Sequence, residues 1–462
     1  MQDLKHLSRR KKRLPGFSLS RTSPVNTRLT ATGGGVSRKL ALPTGKRLDR
    51  LKHLLLFVAI VLAVAPLCLA TLRNAPGAAK NLSAWLRSRP APLPQAAEAA
   101  KPPGASAFER AGGLLDSATM AGDQILARTG TGETLYYTIR ADLQKRVHDF
   151  MADNQVPYGV FVAIEPSSGR ILAMTAHSSA DPGWERSAFF DLYPMASLFK
   201  IVVASAALEG RKITPETVIE FRGNSYSENP RYWDASPRGR NNRLDVTYAM
   251  GKSINPVYGR MAADIAGKTS VMESIRKFGF NQTLLPGTPV KESKAAEPQG
   301  NHGLMLMGAG LDHEVKISPL HAAVMMAAIA NGGRMMSPVL TDKLVDAGGT
   351  VKETHTPKEI RRLVSPETAA SLTQMLSSTV TRGTSRKAFH DRHGRPRLDV
   401  DVAAKTGSIN GTDPAGHYSW FAAFAPARNP RIALVALVIN QDRWKIKSAQ
   451  VGEQALEEFF GK

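Results

Sequence analysis

Three residue groups in this chain carry side chains suited to nucleophilic and acid–base chemistry. Ser197-Leu198-Phe199-Lys200 begins the most apolar helical run, FKIVVASAALEG. Residues three apart on a helix share a face, which brings the lysine amine within reach of the serine hydroxyl. Serine is a weak nucleophile until a nearby base takes its proton, and lysine can be that base once burial or a neighbouring cation lowers its pKa. Ser253-Ile254-Asn255 lies 56 residues on, at the expected start of another helix. Its hydroxyl could relay a proton, and its amide could hold a substrate carbonyl or orient the lysine. Lys405-Thr406-Gly407-Ser408 follows after a further 152 residues, on an expected strand. Glycine inside a strand marks the close approach of backbone or ligand, and an edge strand can accept a peptide as an added strand. In that setting Lys405 would bring positive charge to a substrate carboxylate and depress the pKa of Lys200. The hydroxyls of Thr406 and Ser408 would bond the same carboxylate.

Singly, the first two groups are weak signals. Ser8–Lys11 and Ser274–Lys277 repeat the first spacing, and Ser227–Asn229 and Ser408–Asn410 repeat the second. A capping serine with a long lysine lying along the helix explains any one of them. Two other constellations compete. Asp413 and His417 near the third group suggest a Ser-His-Asp triad, but the serine–lysine pair already supplies nucleophile and base. His390-Asp391-Arg392-His393 suggests metal ligands, yet histidines in a basic loop usually face solvent. Neither metal nor cofactor is expected.

The elements that would position these groups can be read from apolar periodicity. Gly159–Ile164 and Ile171–Thr175 flank EPSSGR and predict a β-hairpin. Three further strands are predicted at Val402–Ile409, Ser419–Ala425 and Arg431–Ile439. Between them Leu198–Leu208, Ile254–Ala266, Pro319–Ala330 and Pro366–Val380 read as helices, and an amphipathic stretch, Ala449–Phe460, closes the chain. The expected fold is α/β, an α+β sandwich. Both ends of the domain form one five-stranded antiparallel sheet, flanked by helices and covered by a large all-helical insert.

The 462 residues are 42% hydrophobic and 22% charged, enough for a sizeable core, with a net charge of +22. Residues 1–53 hold 14 Lys or Arg against two acids, more than half of that excess. Leu54 to Leu72 follows without a charge; its 19 residues would span about 28 Å as a helix, close to the hydrocarbon thickness. The basic flank precedes it, so the expectation is a single-pass anchor in the cytoplasmic (inner) membrane with a cytoplasmic N-terminus. A cleaved signal peptide would have a shorter apolar core and a far shorter basic region. The tail's position argues against a nucleic-acid partner. The single cysteine, Cys68, lies in the anchor and leaves the exported part without a disulfide. Residues 73–134 read as an Ala/Pro-rich linker with a short helical segment at 106–129, and 135–462 as the working domain.

Ser-x-x-Lys, Ser-x-Asn and Lys-Thr-Gly, in that order on helix, helix and strand, form the motif set of the penicillin-binding proteins and serine β-lactamases. The resemblance extends over residues 135–462. TIRADLQKRVHDFM resembles the opening segment of the monofunctional, class B-like transpeptidases, and VAIEPSSGRILAMTAH their first hairpin. MGAGLDHEVKISPLHAAVMMAAIANGG is similar to their stretch between the second and third motifs, and SSTVTRGTSRKAF and SWFAAFAP resemble the run-up to the third motif and the strand after it. The resemblance implies a D,D-transpeptidase that forms a serine acyl-enzyme on D-Ala-D-Ala stem peptides and binds β-lactams. Ser197 would be its nucleophile, Lys200 its general base and Ser253 the proton relay to the leaving amine. Asn255 would position substrate, and Lys405, Thr406 and Ser408 would bind the carboxylate around Gly407. The N–H groups of Ser197 and Ser408 would form the oxyanion hole. Many relatives have threonine where Ser408 stands, and the hydroxyl is kept. Residues 73–134 are too few for a glycosyltransferase domain and short for the family's non-catalytic pedestal. The Glu-x-x-Leu-Asn loop of one β-lactamase class has no counterpart, since Glu292 lies in KESKAAEP. A carboxypeptidase or weak β-lactamase, and a non-enzymatic sensor or scaffold among other wall-synthesis proteins, stay open as alternatives.

Overall fold

A computed structural model describes residues 106–441 and 443–461. The expected basic tail, the anchor and the linker up to residue 105 lie outside the described residues. Among the described residues no helix is long and apolar enough to cross a membrane.

The main sheet has five antiparallel strands: β1 (Tyr158–Ile164), β2 (Ile171–His177), β3 (Ala403–Thr412), β4 (Ala415–Ala425) and β5 (Ile432–Asn440). Their spatial order is β3-β4-β5-β1-β2, so strands from the two ends meet where Val435 pairs with Val162. Both faces of this sheet are covered, which is why β5 reads as an unbroken apolar run. Along β5, Ala433, Val435, Leu437 and Ile439 enter one core, while Ile432, Leu434, Ala436 and Val438 enter the other.

Helices are numbered here in chain order: α1 (Ala107–Leu114), α2 (Ala141–Asp153), α3 (Lys200–Glu209), α4 (Val246–Lys252) and α5 (Asn255–Arg260). There follow α6 (Lys268–Lys277), α7 (Gly300–Ala309), α8 (Pro319–Ala330), α9 (Pro366–Thr381), α10 (Arg386–Phe389) and α11 (Ser448–Phe460). The smaller core lies under α2 and α11. Helix α2 buries Leu143, Val147 and Met151 at i, i+4 and i+8, and α11 buries Val451, Ala455 and Phe459. Helix α8 is apolar all round because it runs through the larger core, with Leu320, Val324 and Ile329 buried. Each such side chain contributes about 1.5–3 kcal/mol over leaving it exposed.

Two expectations need correction. The insert between β2 and β3 is not all-helical. It holds a hairpin of Val218–Phe221 and Asn242–Asp245, and strands Thr341–Val345 and Val351–Thr354. Those last two join Thr119–Ala121, Gln124–Arg128 and Thr134–Arg140 in a second five-stranded sheet. Residues 119–128, placed by sequence in a linker with a helical segment, are therefore strands. Only α1 is α-helical there, capped by Ser106 and Glu109. The strand pairing supplies what a short, weakly amphipathic stretch could not reveal alone.

Candidate active site

The turn that bears Ser197 is fixed from both sides. Tyr193–Pro194 pairs with Lys316–Ile317, and the Met195 N–H donates to the Val315 carbonyl at 2.8 Å. Trp420 on β4 donates its indole N–H to the Pro194 carbonyl at 2.9 Å. The chain then enters a 3₁₀ turn, Ala196–Phe199, through Ala196 at φ +52°, a strained value for a side chain with a Cβ. Helix α3 continues directly from that turn. Ser197 and Lys200 therefore occupy one face, as the spacing predicts, with the first turn 3₁₀ rather than α.

Lys200 is fully buried. Its Nζ lies 2.7 Å from Ser197 Oγ and 3.0 Å from Asn255 Oδ1, and it also donates to the Ala309 carbonyl at the end of α7. Burial, reinforced by the nearby Lys405 ammonium, holds its pKa well below the ordinary lysine value. An amine so placed is a base poised against a hydroxyl.

Ser253 is not at a helix start. It caps the C-terminus of α4 in the left-handed region, at φ +58°, and Asn255 begins α5 two residues later. This corner turns the two side chains toward different partners. Asn255 reaches Lys200, while its Nδ2 donates to the Ser227 carbonyl at 3.3 Å. Ser253 Oγ instead accepts from Lys405 Nζ at 2.8 Å. Lys405 is also fully buried, donates to the Thr406 carbonyl at 2.7 Å, and has its pKa lowered by burial to about 7. Of the two roles the sequence suggests for Lys405, the structure supports its lowering of the Lys200 pKa; the amine also donates to Ser253 Oγ and the Thr406 carbonyl.

Strand β3 is the sheet's edge, so one side of Lys405–Ser408 has no strand partner. Gly407 lets it pass close to the turn that bears Ser197: a Cβ there would lie 3.2 Å from both Ala196 Cβ and Trp420 Cβ. Ser408 is exposed and Thr406 half-buried. A cleft of about 370 Å³ joins the three groups, lined by Ser197, Ser253, Asn255, Thr406 and Ser408.

The structure also brings in residues that the sequence reading had not singled out. Thr384, after α9, places its Oγ1 2.6 Å from Thr406 Oγ1, and its N–H donates to the Gly251 carbonyl at 3.0 Å. It lies within SSTVTRGTSRKAF, a segment whose resemblance marks the stretch but not the residue. Gly310 ends α7 at φ +71° directly against Ala196 and Ser197. Tyr226 and Glu228 line the cleft from the insert, and Lys447 and Ser448 line it from the start of α11. The competing triad is not assembled: His417 Nδ1 is 2.9 Å from Asn410 Oδ1, and its ring packs on Trp444. His390 Nδ1 meets the Arg386 carbonyl, whereas His393 Nε2 accepts from Arg392.

Residues 159–457 match the penicillin binding protein transpeptidase domain. The chain belongs to that family. Its domain is that of a serine-type acyl-transferase of the class B transpeptidases. Among curated relatives, the peptidoglycan D,D-transpeptidase PbpA of Mycolicibacterium smegmatis is 27% identical over 350 residues, covering 68% of this chain and 69% of the relative. PbpA of Mycobacterium tuberculosis is 30% identical over 317 residues, covering 61% of this chain and 62% of the relative. The crystal structure of the M. tuberculosis protein aligns with a TM-score of 0.58 at 26% identity, over 71% of this chain and 81% of that one. Its ceftriaxone acyl-enzyme complex aligns with the same TM-score at 27% identity, over 71% and 80% of the two chains.

Proposed function

We propose that this protein is a penicillin-binding peptidoglycan D,D-transpeptidase. The reading holds that residues 54–72 anchor it in the cytoplasmic membrane, with residues 1–53 in the cytoplasm and the catalytic domain outside. The observation that carries the chemistry is the fully buried Lys200 amine 2.7 Å from Ser197 Oγ. As Ser197 Oγ attacks the carbonyl between the two D-alanines of a stem peptide, its proton passes to neutral Lys200. The tetrahedral oxyanion is held by the N–H groups of Ser197 and Ser408. Ser253, hydrogen-bonded to Lys405, passes a proton to the leaving D-alanine amine as the C–N bond breaks. The acyl group stays on Ser197 until the amine of a neighbouring stem peptide attacks it and Ser197 recovers its proton. Asn255 orients Lys200 and the substrate amide.

The naming of the relatives as D,D-transpeptidases supports cross-linking over trimming. Incubation of the full chain with fluorescent penicillin, and separately with stem-peptide substrate, tests the reading. Ser197→Ala should abolish covalent labelling without lowering the melting temperature, and wild type should yield cross-linked dimers. Labelling that survives the substitution removes Ser197 as nucleophile. A product consisting wholly of trimmed monomer makes the enzyme a carboxypeptidase.

A further inference from the structure

A transpeptidase takes two peptides in turn, and the donor occupies the strand side of the cleft. While its acyl group sits on Ser197 along β3, the acceptor amine has to reach the same carbonyl from another direction. The cleft itself holds about 370 Å³, near the lower end of what encloses one small ligand. On the insert side it adjoins a second cavity of about 360 Å³, lined by Tyr226, Asn242, Arg243, Tyr248 and Lys252. Tyr226 and Lys252 line both spaces, so the two meet there.

This side cavity is basic. Arg243 and Lys252 line it, and among the described residues no Asp or Glu does. Lys252 is half-buried and forms no ion pair among the described residues. Its ammonium lies 5.9 Å from the Tyr248 ring, and the Arg382 guanidinium lies 5.8 Å from the same ring. Arg243 Nε is 3.3 Å from Glu220 Oε1, and the rest of its five-donor fork is left for a ligand. Unpaired cations in a concave space attract an anion, and carboxylate is the anion a stem peptide carries. The wall between the two spaces is held in register with the catalytic base. The Asn255 N–H donates to the Ser225 carbonyl at 3.0 Å and its Nδ2 to the Ser227 carbonyl at 3.3 Å, while its Oδ1 accepts from Lys200. Tyr226, between those two carbonyls, is 59% exposed and gives a peptide an aromatic surface to cross.

We propose that this side cavity is the acceptor subsite: Lys252, together with Arg243, binds a carboxylate of the incoming stem peptide and brings its amine past Tyr226 to the acyl group on Ser197. This rests on the transpeptidase reading above. The neutral amine nitrogen then bonds the acyl carbon, the ester C–O bond to Ser197 breaks, and the proton lost by the nitrogen returns to Ser197 Oγ. Lys252 is a specificity-determining residue: it selects the second substrate and exchanges no proton with it. A cavity that favours an anionic peptide over water also favours cross-linking over hydrolysis, since the acceptor is concentrated beside the acyl-enzyme.

The test uses the full chain in detergent, a D-Ala-D-Ala donor peptide and two synthetic acceptors. One acceptor is a peptide with a free side-chain amine and a terminal carboxylate, and the other is its carboxamide. Wild type should show a KM about tenfold lower for the carboxylate acceptor. Lys252→Met should erase that preference, Arg243→Met should reduce it, and Lys252→Arg should retain it. Acylation by benzylpenicillin, which needs no acceptor, should keep its wild-type rate in all three. Added salt should shrink the preference of wild type. Equal use of the two acceptors by wild type, or a preference that survives Lys252→Met, overturns the proposal. So does a loss of cross-linking matched by an equal loss of penicillin acylation, which would place Lys252 in the first half-reaction. Failure of wild type to form any penicillin adduct would instead defeat the acyl-enzyme reading, and this site with it.

Discussion

Gly310→Ala places the most direct strain on the nucleophile without touching a reacting atom. Gly310 follows α7, whose last carbonyl, from Ala309, accepts from Lys200. A Cβ at position 310 would lie 2.2 Å from the Ala196 carbonyl oxygen and 2.8 Å from Ser197 Cα. Acceptable contact requires the oxygen to retreat by about 1 Å, and Ser197 moves with it. Alanine held at φ +71° costs about 1–2 kcal/mol, and forced overpacking about 1–3 kcal/mol more. The expected loss of stability is therefore about 2–5 kcal/mol by denaturant melts. A misplacement of about 1 Å at the nucleophile should slow acylation about 100-fold, read by stopped-flow with fluorescent penicillin. Gly332→Ala is the control, because Gly332 has φ +63° and open space around its would-be Cβ. It should lose about 1–2 kcal/mol and acylate normally. Wild-type acylation by a folded Gly310→Ala protein would refute the reasoning, as would equal rate losses in the two variants.

Two further predictions rest on the groups around β3. Lys405 titrates near 7 when folded, against 10.5 as an ordinary lysine, so between those values the unfolded chain binds more protons and this group makes the fold more stable as pH rises. Lys405→Met should flatten the rise in stability from pH 7 to 10 in urea melts, and an unchanged slope would contradict the buried-ammonium account. Thr384→Val removes the hydroxyl 2.6 Å from Thr406 Oγ1 and should slow acylation several-fold, about 1 kcal/mol, with little change in melting temperature. Rates equal to wild type would show that Thr406 is positioned by its own strand.

Much of the architecture could be read from the sequence because burial patterns are local. The unbroken apolar run of β5 and the i, i+4 spacing of α2 follow from which faces meet the core, whatever the partner. Ser197 and Lys200 likewise meet through the helical repeat alone. The strands at 119–128 were not legible, since short exposed segments become strands only through pairing with partners elsewhere in the chain.

Spacing within one element and order along the chain are enough to pair Ser197 with Lys200 and to set the third motif on a strand of the main sheet. Tertiary structure alone decided where the amines point. The left-handed corner at Ser253 and the depth of Lys405 join residues 152 apart, and Gly310 meets Ser197 only because α7 packs against its turn. Those contacts arise from packing between distant segments, and no periodicity in the chain records them.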